Sequence, residues 1–234
     1  DLAANTSYYW RVKSNGTNGP SAYSQVRMFR TGNPPSMPTL SAPINNALVT
    51  TTTPLLDWSN STVPAGTTFL YYNVQIAYDN TFTALFWDAN VGNFSVTSSS
   101  INTPVIVNVG RTYYWRVRAF NTANEYSGWS AVRSFRLPYP APVLTLPLDA
   151  ATGVIRKPTF TWDAILGATS YNLQVSTSAT FTGLLAINRT VSTPLYTHTL
   201  NLAANTTYYW RVRANGAYGP GFWQSPVFSF TTGP

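Results

Sequence analysis

The sequence has no cysteine, one histidine (His198), and only 7 Asp and Glu against 14 Lys and Arg in 234 residues. Without cysteine no disulfide can staple a domain, and the redox state of the compartment leaves no trace in thiols. Without a second histidine or a thiol, a zinc site made by this chain alone is not expected. No apolar run approaches the ~18 residues of a spanning helix, and no signal-peptide pattern stands at residue 1. Helical periodicity is also missing from every window. Charged residues make up 9% of the chain, beside abundant Thr, Ser, Asn, Gly and Pro, which is the composition of short strands joined by turns. The fold class that follows is all-β, with room for about two domains of ~100 residues.

What is present is a repeat. The segment LAANTTYYWRVRA at Leu202–Ala214 has close copies at Leu2–Ser14 (LAANTSYYWRVKS) and Val107–Ala119 (VNVGRTYYWRVRA). Read as a strand, Tyr208, Trp210 and Val212 point one way, and Tyr209, Arg211 and Arg213 the other. One face is apolar and the other aromatic and basic, the period of an antiparallel strand with one wet side. The turn ahead of it carries Asn5, Gly110 or Asn205, residue types that tolerate a tight bend.

This pattern, L-x-x-[NG]-x-x-Y-x-W-x-V-x-A, resembles strand F of fibronectin type III domains. The resemblance implies tandem seven-stranded immunoglobulin-like β-sandwiches arranged end to end, with corner tyrosines at Tyr8, Tyr113 and Tyr208 whose hydroxyls bond back to upstream backbone. It places a fold and names no activity. Trp58 and Trp162 stand where such domains keep a strand B tryptophan, so Trp58, Trp115, Trp162 and Trp210, with Tyr113 and Tyr208, are the expected core. The sharper alternative for these tryptophans is a cofactor or glycan platform.

Residues 1–33 read as strands F and G of an incomplete domain, and 34–138 and 139–234 as two complete ones, separated by proline-rich joints at Asn33–Pro38 and Leu137–Pro142. Such joints favour extended, semi-rigid backbone. In the first complete domain strand A is placed at Met37–Val49, B at Pro54–Trp58, C at Tyr72–Ile76, F at Thr112–Phe120 and G at Ala131–Arg136. In the second the corresponding segments are Val143–Leu148, Pro158–Trp162, Tyr171–Val175, Thr207–Ala214 and Val227–Thr231. Two strands cannot bury an apolar face alone, so the parent polypeptide is expected to extend before Asp1, or another chain to supply the missing strands. Residues 1–20 match 201–220 at 14 of 20 positions and match 106–125 at far fewer, which suggests an alternating array with a period near 200 residues.

Candidates for chemistry are few. His198 lies in a Tyr-Thr-His-Thr alternation and reads as a surface position of a strand. Asp57 and Asp163 flank the strand B tryptophans and are expected to bond backbone or an arginine. Asp79, Asn80 and Asp88 form the one acidic cluster; calcium there is the sharp reading, although no D-x-[DN]-x-[DN]-G loop is present. Asn15-Gly and Asn215-Gly read as hairpin turns. Six N-x-[ST] sequons, at Asn5, Asn15, Asn60, Asn93, Asn188 and Asn205, permit glycosylation without indicating it. Asn60 and Asn93 are the better placed of these.

The candidate interaction face is the outer side of strands F and G: Tyr9, Arg11 and Lys13, then Tyr114, Arg116 and Arg118, then Tyr209, Arg211 and Arg213, with Arg133 and Arg136 on the adjoining strand. Arginine beside tyrosine can bind an anionic polymer or a neighbouring chain, or simply keep a wet sheet face soluble and protected. The net charge of +7 is spread along repeated strands, so specific nucleic-acid binding is not expected. No catalytic set, metal or cofactor is assigned, and this segment is not expected to enter a membrane. The expected protein is a non-catalytic structural or adhesive segment of a long extracellular bacterial repeat polypeptide, self-associating or touching surface glycans, with a filament or surface fibre as its assembly. The alternative is a spacer or accessory glycan-binding region of a secreted polysaccharide-degrading enzyme.

Overall fold

The computed structural model describes residues 1–92, 98–103 and 107–234, with the side chains of Ser98 and Ser99 left aside. In chain order the strands are β1 (Ser7–Trp10), β2 (Asn15–Gly16), β3 (Gly19–Pro20), β4 (Arg27–Arg30), β5 (Leu40–Ala42), β6 (Ala47–Leu48) and β7 (Leu55–Ser59). Next come β8 (Phe69–Ala77), β9 (Leu85–Val91), β10 (Ser98–Asn102), β11 (Thr112–Asn121), β12 (Arg133–Arg136), β13 (Leu144–Leu146) and β14 (Ala151–Val154). The last are β15 (Thr159–Trp162), β16 (Ser170–Ser176), β17 (Ile187–Val191), β18 (Leu195–Thr197), β19 (Thr207–Gly216), β20 (Gly219–Pro220) and β21 (Phe228–Thr232). No helix occurs among the described residues, so none is long and apolar enough to cross a membrane. The protein is all-β, its strands gathered into several separate sheets.

Contacts divide the chain into two compact units. One holds residues 1–44, 55–102 and 114–133; the other holds 45–54, 103–113 and 134–234. The first contains the β1–β4 ladder, the three-stranded order β10-β7-β5, and β8 paired antiparallel with both β9 and most of β11. The second contains β6 paired parallel with β12, the order β13-β15-β18, and the sheet β14-β21-β19-β16-β17 with β20 on β19.

Alternation along each long strand sorts its side chains. β11 and β19 bury every second residue, Tyr113, Trp115 and Val117 in one and Tyr208, Trp210 and Val212 in the other. Trp58, Trp115 and Trp210 are fully buried and Trp162 nearly so. In the first unit Trp58 meets Tyr72 edge-on at 5.3 Å between centroids; in the second Phe160 meets Trp210 at 5.1 Å and Trp162 meets Tyr171 at 5.5 Å. Each corner tyrosine accepts a hydrogen bond from the amide five residues upstream: Tyr8 from Ala3 (2.8 Å), Tyr113 from Asn108 (2.9 Å) and Tyr208 from Ala203 (3.1 Å). The turn residues between donor and tyrosine, Asn5, Gly110 and Asn205, all take positive φ, the conformation that Gly and Asn adopt most cheaply.

Several boundaries differ from expectation. The strand expected at Met37–Val49 is two pieces, β5 and β6, separated by Pro43, and Val143–Leu148 shrinks to β13, with β14 beginning after Pro147. Proline has no amide to donate, so a ladder stops there and the chain resumes against another partner. The strand ends at Ala131–Arg136 and Val227–Thr231 become Arg133–Arg136 and Phe228–Thr232. In residues 1–33 only β1–β4 and the short β2–β3 hairpin form, and Trp10 is 47% exposed where its counterpart Trp210 is fully buried.

The segment around Tyr139 is packed, not free. Tyr139 belongs to the same buried cluster as Phe160, Trp162 and Trp210. Its hydroxyl donates to the Gly167 carbonyl at 3.0 Å, and its carbonyl accepts from Phe222 N at 3.2 Å. The ring passes so close to Gly216 and Gly110 that a Cβ on either would sit 2.3 Å from it. Only glycine leaves that space open.

Candidate functional site: an arginine and aromatic ladder

The basic positions of β11 and β19 are half-buried, with aromatic rings over one side. Arg116 lies between two rings, with its guanidinium carbon 3.9 Å from the Phe82 centroid and 4.2 Å from that of Trp129. Arg118 stacks on the same Trp129 at 4.4 Å and approaches Tyr126 at 4.8 Å. The second unit repeats the device: Arg211 sits 4.0 Å from Phe181 and 4.4 Å from Trp223, and Arg213 is 4.6 Å from Trp223. On residues 1–33 the same side chains, Arg11 and Lys13, share Tyr23 at 3.9 and 5.3 Å.

The edges of the guanidinium groups are held as well as their faces. Arg116 Nε donates to Gln75 Oε1 (2.9 Å), Arg211 Nε and Nη2 both donate to Gln174 Oε1 (3.0 and 2.8 Å), and Arg213 Nε donates to Asn172 Oδ1 (3.1 Å). Asp88 sets the glutamine in the first unit by accepting from Gln75 Nε2 at 2.9 Å and from Asn73 Nδ2 at 2.7 Å. Burial lowers the pKa of Arg116 most, the neighbouring Arg118 adds to it, and Asp88 opposes it; Arg211 is lowered by burial and then by Arg213. Both remain cations at neutral pH, since a guanidinium starts above 12.

The covering tryptophan is placed by a segment with no strand period. In Tyr126-Ser-Gly-Trp-Ser130 the two serine hydroxyls accept the amides of Ala119 and Val117, each at 3.0 Å, which lays the segment along β11. Ser21 and Ser24 do the same for Ser14 and Val12 around Tyr23. Trp129, Trp223, Tyr23, Phe82 and Phe181 escaped the sequence reading, yet they leave a signal. An aromatic follows each strand F tryptophan by 13 or 14 residues, and Thr-Phe-Thr recurs with its Phe seven residues after Gln75 and after Gln174.

Tyr9 is 70% exposed, and Arg11 and Lys13 are exposed; Tyr114 and Tyr209 are half-buried. Arg133 turns inward to the carbonyls of Ser41 (2.8 Å) and Pro43 (3.3 Å). Arg136 is buried, with Nη2 donating to the Pro220 carbonyl at 2.9 Å. Stacking covers one side of Arg116, Arg118, Arg211 and Arg213, which stay half-buried, while Arg133 and Arg136 bond to backbone carbonyls.

His198, expected at the surface, is buried: it lies just past β18, 9% exposed, with its Nδ1 3.4 Å from the Tyr196 hydroxyl. Its amide donates to the Pro158 carbonyl at 3.0 Å. Burial, and then Arg189, push its pKa below the ordinary histidine value. The acidic cluster disperses. The Asp79 carboxylate is taken by the amides of Thr81, Thr83 and Ala84 and the Thr81 hydroxyl of its own loop, which hold it far below the usual carboxylate range. Asp88 serves Asn73 and Gln75, and no group of three or more potential metal ligands exists among the described residues.

Of the sequons, Asn188 is exposed on β17, Asn15 is exposed in its hairpin, Asn60 is half-buried, and Asn93 lies outside the described residues. Asn5 is exposed, and its side-chain carbonyl accepts from Arg30; Asn205 is exposed at a positive φ.

Residues 40–138 match the family model described as Rha78A-like, N-terminal immunoglobulin domain. Among curated proteins, none matches this chain. Of solved structures, the FN1–FN3 domains of chicken CNTN1 are 18% identical, with the match covering 100% of this chain and 80% of that one at a TM-score of 0.34. A two-domain fibronectin type III segment of chicken tenascin is 12% identical, covering 83% and 98% at a TM-score of 0.47.

Proposed function

We propose that this chain is a non-catalytic structural and adhesive segment of an extracellular, bacterial repeat polypeptide that assembles with neighbouring repeats or copies of itself. The reading rests on one observation: the groups with chemical potential are engaged in holding strands together. Arg116, Arg211 and Arg213 are stacked and hydrogen-bonded, Asp79 closes a loop, and Glu125 accepts from Asn33 N and Asn121 Nδ2. Turnover needs an acid, base or nucleophile presented to a substrate; this arrangement suits cohesion instead.

The contact surface of the proposal is the aromatic and basic ladder, one copy of which is Tyr9, Arg11 and Lys13. Sedimentation velocity over a range of concentrations tests it. Concentration-dependent association should weaken in the triple variant Tyr9→Ser, Arg11→Ser, Lys13→Ser and at high salt, since exposed charges are screened. Association unchanged by both would remove that face from the proposal.

A second reading is supported by the match over residues 40–138, whose family model is described as an N-terminal domain and so as one part of a larger protein. In it the chain is an accessory region beside a secreted polysaccharide-degrading domain. Glycan pull-down with this chain, and the reading frame on either side of it, separate the two: continued repeats favour the structural segment, and an adjacent catalytic domain favours the accessory region.

A further inference from the structure

A cavity of ≈230 Å³ opens beside β12, lined by residues that include Asn46, Leu48, Thr112, Ser134, Arg136 and Tyr218. Arg136 is buried there and held differently from Arg116, Arg211 and Arg213. It is 9% exposed, its Nη1 has no hydrogen-bond partner, and the one acceptor described for it is the Pro220 carbonyl. Arg116, Arg211 and Arg213 are each roofed by a ring and bonded to a side-chain oxygen. Among the described residues Arg136 has neither. A guanidinium carries five donors and a charge delocalised over all its nitrogens, and one buried without a counter-charge is costly.

The chain itself shows what this position takes. Arg30 ends β4 after Phe29 just as Arg136 ends β12 after Phe135, and Arg30 Nη1 is 3.7 Å from the Glu125 carboxylate. The exposed copy has a carboxylate, and the buried copy has an open cavity.

We propose that this cavity binds a small hydroxylated carboxylate of the acidic-sugar class, with Arg136 as its counter-ion. The lining fits that chemistry. Arg136 is the one charged group in the set, which balances a single negative charge better than a phosphate dianion. Thr112 offers a hydroxyl, and Asn46, whose carbonyl accepts from Ser134 Oγ at 2.7 Å, offers its amide as a donor. Leu48 and Tyr218, both about half exposed, stand where the C–H face of a ring can rest. The volume is below the ~300 Å³ at which pockets for drug-sized ligands begin, so the ligand is about one monosaccharide. This site does not depend on how the chain assembles.

The test is an amide NMR titration of the whole chain with sodium D-glucuronate, D-glucose and sodium acetate at constant ionic strength. Glucuronate should give saturable shifts at Asn46, Thr112, Ser134 and Tyr218, at least tenfold tighter than glucose or acetate. Arg136→Met should weaken glucuronate binding at least tenfold. Because that variant also loses the Pro220 bond, Thr112→Val, which leaves Arg136 in place, should weaken it several-fold with an unchanged urea midpoint. The proposal is overturned by the absence of saturable shifts at these residues, by glucose or acetate binding as tightly as glucuronate, or by glucuronate affinity that survives both variants.

Discussion

Trp129 lies between two guanidinium groups, so removing it uncovers Arg116 and Arg118 together. Each partly desolvated cation and ring contact contributes on the order of 0.5 to 2 kcal/mol, and the ring also shields apolar surface. Trp129→Ala should therefore destabilise the chain by about 2–3 kcal/mol in urea, with Trp129→Phe intermediate. A loss under about 0.5 kcal/mol would mean that the stack is decoration. His198 makes a different residue-scale prediction. Its folded pKa is depressed below the unfolded ~6.5, so the fold prefers the neutral ring and unfolding takes up a proton. Its contribution to stability is whole above about pH 6.5 and declines as pH falls toward the folded pKa. The urea midpoint of the wild type should drop more between pH 7 and 5 than that of His198→Gln. Asp79 and Glu125, whose pKa values are lowered by hydrogen bonds, act in a separate window, because their stabilisation is present above about pH 4.5 and is lost below it. Equal pH slopes in the two proteins would show that His198 is not the titrating group.

At the scale of elements, Tyr139 and the strand-end glycines form one packing unit. Gly216→Ala would place a methyl 2.3 Å from the Tyr139 ring, and overpacking of this kind costs about 1–3 kcal/mol. The double variant Gly216→Ala, Tyr139→Leu should recover part of that loss, whereas two independent sites would add. This element also marks where reading from sequence stops. β1, β11 and β19 were legible because a period of two plus a near-identical triplicate leaves little freedom in register. The breaks at Pro43 and Pro147 were not, because the hydrophobic pattern continues past them while the ladder needs an amide that proline lacks. Alternation also told which face Arg116 and Arg211 occupy and nothing of what lies over it, since Trp129 and Trp223 arrive from stretches without strand period. His198 follows the parity of β18: Thr197 is exposed and Tyr196 and His198 face inward, and a run of Tyr, Thr and His does not tell which of its two faces is the buried one.

For the whole molecule the scarcity of acids shapes the architecture. With 7 acids for 14 Lys and Arg, one ion pair, Arg30 with Glu125, forms among the described residues, and most strand cations settle on aromatic rings or backbone carbonyls. The second proline-rich stretch then becomes an internal part of its unit: Leu137 and Tyr139 are 8% and 7% exposed, the Leu137 carbonyl accepts from Gly110 N, and Arg136 is tied to Pro220. A flexible linker would be the first place a protease cuts; a packed one is cut only when its unit opens. Brief trypsin digestion with mass spectrometry distinguishes the two. The bonds after Lys13 and Arg27, both exposed, should be cleaved well before the Arg136–Leu137 bond in the wild type. Gly216→Ala, by forcing Tyr139 out of its slot, should bring cleavage at Arg136 forward without changing the rates at Lys13 and Arg27. Early cleavage at Arg136 in the wild type would instead make the stretch a free hinge.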